Sequence, residues 1–220
     1  SPTISNTLFL DNTASDHGGA IFVAAGSSPV IASVVFRNNS SLSAILKGGT
    51  ITILSGSPVI VNSTVVYSES PASDGKSIYL ENSPNAKIVN TVIWGGSSHM
   101  GFSGTPSSVF DYCAIEGASY TGCITLNSNN TASDGPNFVN PAGGNFNLTY
   151  ISPLRDIGAD SYAGVTIPPT DFIGSGRVFI TDMGAYEMIY SRWHGGTPSW
   201  TAGANWDGGF VPGTTHIVIP

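Results

Sequence analysis

The 220 residues include only 10% charged side chains against 40% apolar ones, with 27 glycines and 14 prolines; this excludes a coiled coil or helical bundle and disfavours disorder. Seven basic against fourteen acidic residues give a net charge of −7, the wrong sign for the cationic footprint that nucleic-acid binding requires. No apolar run approaches the roughly 18 residues of a membrane-spanning helix, and Ser1-Pro2-Thr3 is neither an initiator methionine nor a signal peptide, so the chain is expected to be mature or part of something longer.

Taken in order, the chain repeats itself. An Ile-x-Asn/Ser element occurs at Ile4, Ile31, Ile60 and Ile88, at intervals of 27, 29 and 28 residues. Five positions after each stands another large apolar residue: Phe9, Phe36, Val65 and Ile93. A Ser-Pro turn precedes each copy, and a weaker fifth copy runs from Pro106 through Phe110 to Ile115. A second strand follows within each period: Gly18-Gly19-Ala20-Ile21, Gly48-Gly49-Thr50-Ile51 and, more loosely, Gly75-Lys76-Ser77-Ile78, with Gly122-Cys123-Ile124-Thr125-Leu126 as a later copy. Alternating large and small residues mark strands with one buried face. A β-sandwich would not hold these columns in phase over four units, so the pattern predicts an all-β, right-handed parallel β-helix whose coils stack like on like. Each inward Ile or Phe then contributes roughly 1.5–3 kcal/mol of burial. Asn6, Asn62 and Asn90 are expected at one corner, as a hydrogen-bonded ladder or as ordinary turn residues.

Phe9-Leu10-Asp11-Asn12, Gly18-Gly19-Ala20-Ile21 and Phe36-Arg37-Asn38-Asn39 resemble the FxxN and GGAI repeats of polymorphic outer-membrane proteins and related bacterial surface β-helices. Asn90–Gly95 and Tyr112–Gly117 resemble the last coils of such proteins from Bacteroidetes. Pro136-Asn137-Phe138-Val139-Asn140-Pro141, Ser152-Pro153-Leu154-Arg155-Asp156-Ile157-Gly158-Ala159-Asp160 and Asp182-Met183-Gly184-Ala185-Tyr186-Glu187 are similar to the choice-of-anchor Q module that closes exported β-helices. Arg155 departs from the usual small apolar residue there and is expected to pair with a carboxylate. The resemblance implies export to the cell surface, often by type IX secretion, with the secretion machinery as a partner. It implies no single activity.

The domain reading is therefore β-helix coils over 1–126, a C-terminal cap over 127–189 and the start of a following β domain over 190–220, where Trp193, Trp200 and Trp206 cluster. A solenoid end exposes a strand edge and an open core, so Phe138, Phe146, Leu148, Leu154 and Ile157 are expected to plug it.

Chemical signatures are sparse. Metalloprotease, serine-hydrolase, phosphate-loop and CxxC motifs do not occur. The nearest approach to an acid/base pair is Asp16-His17 ahead of Gly18-Gly19, although adjacent residues tend to point apart. Asp156, Asp160, Asp171 and Asp182 form an acidic set that suits either backbone hydrogen bonding in turns or a structural calcium ion, the one cofactor considered. His99, His194 and His216 lack partners at metal-ligand spacing. Cys113 and Cys123, ten residues apart, either close a local hairpin as a disulfide or stay as thiols. The inter-strand loops leave each coil at one corner, which gathers Asp11, Asp16, Asn38, Asn39, Ser70, Asp74 and His99 on a common polar edge suited to carbohydrate or protein on a cell surface. The expected function is a non-enzymatic extracellular adhesin or stalk segment. A polysaccharide lyase or glycosidase on the same scaffold, and an inert spacer, are the alternatives.

Overall fold

The computed structural model describes residues 1–43, 48–71, 75–83, 85–104, 108–131, 134–188, 190–192 and 216–218. The first coil contains β1 (Thr3–Ser5), β2 (Leu8–Leu10), β3 (Thr13–Ala14) and β4 (Ile21–Val23); the second contains β5 (Val30–Ala32), β6 (Val35–Arg37), β7 (Ser40–Ser41) and β8 (Ile51–Leu54). The third has β9 (Val59–Val61), β10 (Thr64–Val66) and β11 (Ile78–Glu81); the fourth has β12 (Lys87–Val89), β13 (Val92–Trp94) and β14 (Met100–Ser103). β15 (Val109–Asp111), β16 (Cys113–Glu116) and β17 (Cys123–Leu126) complete the stack.

These strands form parallel sheets ordered β1-β5-β9-β12-β15, β2-β6-β10-β13-β16-β17, β4-β8-β11-β14 and β3-β7. The register follows the sequence columns. Ile4 pairs with Ile31, Ile31 with Ile60, Ile60 with Ile88, and Ile88 with Phe110. Phe9, Phe36, Val65, Ile93 and Ile115 pair likewise in the second sheet. This is a parallel β-solenoid, with one apolar core along its axis.

Sharp corners let three short strands enclose that core. Asn6, Ser33, Asn62, Asn90 and Tyr112, between the first and second sheets, all have positive φ of 46–53°. A single left-handed residue there bends the chain within one or two positions, and Asn tolerates that conformation better than most. Asn90 Nδ2 donates to Asn62 Oδ1 at 3.2 Å, so the expected ladder exists between these two coils. Ser33 interrupts it, and Asn6 donates instead to the carbonyls of Asp171 and Phe172.

The glycine pairs have a packing reason. A Cβ on Gly19 would lie 2.3 Å from the Ser40 carbonyl oxygen, and one on Gly49 would lie 2.1 Å from that of Lys76. Backbone of the next coil occupies the space a side chain would need.

Two expectations require correction. The Gly122–Leu126 segment is not a copy of the glycine-led strand: β17 pairs with β16 in the second sheet, and the fourth glycine-column strand is β14, beginning at Met100. Nor do the aromatic residues after 127 plug the core. The last layer is closed from within by Phe102, Phe110 and Tyr120, whose rings lie 5.5–6.1 Å apart.

Residues 127–131 and 134–187 instead run back along the outside of the coils. β18 (Phe138–Asn140) and β19 (Asn145–Leu148) form an antiparallel pair. Phe138 and Phe146 pack on Trp94 and Tyr67 of the second sheet's outer side. Ala159, Tyr162, Val165 and Ile167 cover the outward Ala32, Val61 and Val89 of the first sheet. Outward positions such as Val66 and Val92 are buried too, which explains apolar residues on both faces of these strands. Ile157, expected inside, is 36% exposed.

Polar contacts hold this strap down. Arg37, Lys87 and Ser33 donate to the carbonyls of Ala142, Ala163 and Thr170. Gly184 N donates to the Asn90 carbonyl at 2.7 Å, and Ala185 N to Thr64 Oγ1 at 2.9 Å. The Arg177–Glu187 ion pair, 3.0 Å apart with side chains 4% and 1% exposed, anchors the far end. Glu187 also accepts from the backbone of Val178 and Asp182. Burial pushes its carboxyl above the usual range, against those amides and the guanidinium.

The chain divides into two compact units, Ser1–Glu187 and Met188–Pro220. In the second, β20 (Tyr190–Arg192) and β21 (His216–Val218) pair in parallel. Trp193, His194, Trp200 and Trp206 lie outside the described residues, as does the His216 side chain.

Urea denaturation of the purified chain should separate core from strap surface. Ile60→Ala is expected to cost about 2–5 kcal/mol, and Ile157→Ala about 0.5 kcal/mol or less. Arg177→Met, which leaves Glu187 buried without its cation, is expected to cost about 3–5 kcal/mol.

Candidate functional site

The corner loops are stacked by backbone pairing. β3 pairs with β7, and Ser40 continues the ladder to Glu69 of the third coil. Within this edge the anticipated residues divide. Asp11, Asp16 and Asn38 are exposed. Asn39 is fully buried: its Oδ1 accepts from the main-chain and side-chain nitrogens of Asn12, and its Nδ2 donates to the Phe9 carbonyl. It fastens one loop to the next and is closed to a ligand. Ser70 is also buried. Asp74 lies outside the described residues.

The Asp16–His17 pair is not assembled. His17 stacks on Phe22 with ring centres 5.0 Å apart, its Nδ1 has no hydrogen-bond partner, and no ion pair joins it to Asp16 among the described residues.

His99 stands in a different setting. It belongs to the short Gly95–His99 connection that leads into β14, and its side chain is only 2% exposed. Nδ1 lies 2.8 Å from Ser77 Oγ. Nε2 faces Glu116 Oε2 at 3.5 Å and has no hydrogen-bond partner. Glu116, at the end of β16, is fixed by accepting from the amides of Gly95 at 2.6 Å and Gly96 at 3.2 Å. These groups border a depression of about 250 Å³ lined by Gly96, Ser97, Ser98, His99, Met100, Glu116, Gly117, Ala118 and Tyr120.

Ser77, His99 and Glu116 thus form a hydroxyl–imidazole–carboxylate chain. It does not provide a nucleophile, because Ser77 is 1% exposed behind the imidazole and does not line the depression. A nucleophile must reach the substrate. The arrangement fastens the Gly95–His99 connection to β16 and to Ser77. Burial holds the His99 imidazole below its usual range, while Glu116 opposes that shift and Lys76 adds to it.

The carboxylates proposed for calcium are occupied by the chain itself. Asp182 Oδ1 accepts from Asp156 N and Asp160 Oδ1 from Thr181 N, each at 2.7 Å. Asp156 pairs with Arg155 at 3.0 Å, which gives that unusual arginine its partner. Asp171 accepts from the amides of Ile173, Ser175 and Glu187. No group of three or more His, Cys, Asp or Glu among the described residues is arranged to hold a metal ion.

Cys113 and Cys123 face one another in register on parallel strands, so the segment between them is a short coil and not a hairpin. Both are thiols. Burial pushes Cys113 well up, and the hydrogen bond from Cys113 draws Cys123 down.

Reasoning from sequence reached His99 as a loop residue but missed Ser77, Glu116 and Tyr120. Neither the interval of 17 positions from His99 to Glu116 nor that of 22 from Ser77 to His99 matches a motif spacing; only the stacking of coils makes them neighbours. No family model, curated protein or solved structure matches this chain. The class that fold and site define is a parallel β-solenoid with a lateral strap and a corner depression.

Two measurements check the site. Because the folded pKa of His99 is depressed, the unfolded chain binds the extra proton first; the stability His99 contributes is full above about pH 6.5 and lost as pH falls through the folded value. His99→Gln is expected to flatten the pH dependence of the denaturation midpoint between about pH 7 and 5. Native alkylation followed by mass spectrometry is expected to label Cys123 and spare Cys113 until the chain unfolds.

Proposed function

We propose that this chain is a segment of an exported, non-enzymatic surface protein, an adhesin or stalk, which meets carbohydrate or protein through its loop-bearing corner. The observation that carries this reading is the backbone ladder from Thr13–Ala14 through Ser40–Ser41 to Glu69. It fixes polar loops of unequal length on a rigid edge, the usual setting for recognition. Exposed Asp11, Asp16 and Asn38 lie on that edge, and the His99–Glu116 depression lies at the corresponding corner of the last coils. Export, and the expectation of a type IX route in Bacteroidetes, rest on the resemblance of residues 136–160 and 182–187 to the choice-of-anchor Q pattern.

A panel of uronate and neutral polysaccharides, assayed with and without calcium, is expected to show no turnover; cleavage of any of them moves the protein to the lyase or glycosidase class. An array of polymeric glycans and surface proteins is expected to retain the labelled chain, with retention reduced by the combined change Asp11→Ala and Asn38→Ala. Failure to bind any of them leaves the inert-spacer reading in its place.

A further inference from the structure

We infer that Cys113 and Cys123 form a redox staple, which a small-molecule disulfide closes into a covalent bond between the last two strands of the second sheet. This goes beyond the recognition role proposed above and does not depend on it. Both residues are thiols in the reduced chain. Register makes them partners: Cys113 on β16 lies level with Cys123 on β17, and the pairing continues through Ala114–Ile124 and Ile115–Thr125 to Glu116–Leu126. Residues level with one another on paired strands share a face of the sheet. Here that face is the axial core, with Cys113 inside it and Cys123 packed against it. Neighbouring strands lie about 4.8 Å apart, within the range of about 4.4–6.8 Å between Cα atoms that a disulfide spans. The two thiols are already hydrogen-bonded to each other. Backbone bonds fix the chain around the pair: Tyr112 N donates to the Gly122 carbonyl at 2.8 Å, Cys123 N to that of Tyr120 at 3.0 Å and Gly117 N to that of Leu126 at 2.9 Å. Closing the bridge therefore needs rotation of two side chains and no movement of a strand.

The two sulfurs differ in access, and that sets the order of events. Cys123 is partly exposed, on the terminal strand of its sheet. Cys113 is fully buried and donates to the carbonyls of Ile88 at 3.2 Å and Asp111 at 3.3 Å. Cys123 gives up its proton and attacks one sulfur of the small disulfide; the S–S bond breaks and one thiol leaves with that proton. Cys113 then gives up its proton and attacks Cys123 Sγ from within, expelling the second thiol. Two cysteine thiols are oxidised to one disulfide, and one small disulfide is reduced to two thiols. Burial pushes the Cys113 thiol up, so the second attack is the slower and the mixed disulfide on Cys123 builds up first. The closed ring takes in Glu116, Gly117, Ala118 and Tyr120, and ties down the one strand of the second sheet's far end that is paired on a single side.

The test equilibrates the whole chain, fully reduced, with mixtures of oxidised and reduced glutathione. Acid stops the exchange, remaining thiols are alkylated under unfolding conditions, and the products are read by mass spectrometry. The expected product is a monomer lighter by two hydrogens, with the Cys113 and Cys123 peptides joined. Closing a loop of this length should raise the ratio of folded to unfolded chain about a hundredfold. By the same thermodynamic cycle, the folded chain should form the bond about a hundredfold more readily than chain held in urea. Cys113→Ala should stop with one glutathione on Cys123, and Cys123→Ala should take up none, with the denaturation midpoint showing that both variants fold. The inference is overturned if the unsubstituted chain stops at the glutathione adduct, couples to a second chain, or forms the internal bond no more readily folded than in urea. These readings need neither variant, and neither glycan binding nor polysaccharide turnover alters them.

Discussion

Every feature of this chain depends on coils lying in register, so that each inward residue meets its equivalent above and below. Parallel pairing satisfies the backbone, and the Ile4–Ile31–Ile60–Ile88–Phe110 column fills the axis. A slip of one residue would turn the whole inward row outward. The left-handed corner residues guard against it by fixing where each strand ends.

The strap completes what the coils leave open. Strands buried on both sides need cover on both, and the outer Val61, Val66, Val89, Val92 and Trp94 would otherwise form an apolar flank. Residues 134–187 provide that cover by crossing the coils laterally, and their contacts run from Asn6 in the first coil to Asn90 in the fourth. The anchoring is mostly backbone accepting from side chains of the coils. The internal Asp residues meanwhile hold the strap's own turns. Acidic residues that look like ligands in one dimension therefore act as structural acceptors in three.

The regularity of the scaffold breaks at its corner loops. The loops between second and third sheets differ in length, and the shortest of them brings His99 over Glu116. Its buried imidazole has one nitrogen on Ser77 and the other facing Glu116.

By itself the sequence determined the coil. The spacing of Ile4, Ile31, Ile60 and Ile88 with Phe9, Phe36, Val65 and Ile93 states which residues face inward, and Asn or Gly at the corners states where the chain bends. These are local signals, written by side-chain alternation and φ preference within a few residues. Only the tertiary structure decided that the 127–187 segment lies along the flank, that Cys123 continues the second sheet and not the third, and that His99 meets Glu116. Those outcomes depend on contacts between residues far apart in the chain, where no periodicity speaks. The outer faces of β10 and β13 are apolar as well; that a segment covers them, and which one, was settled by packing.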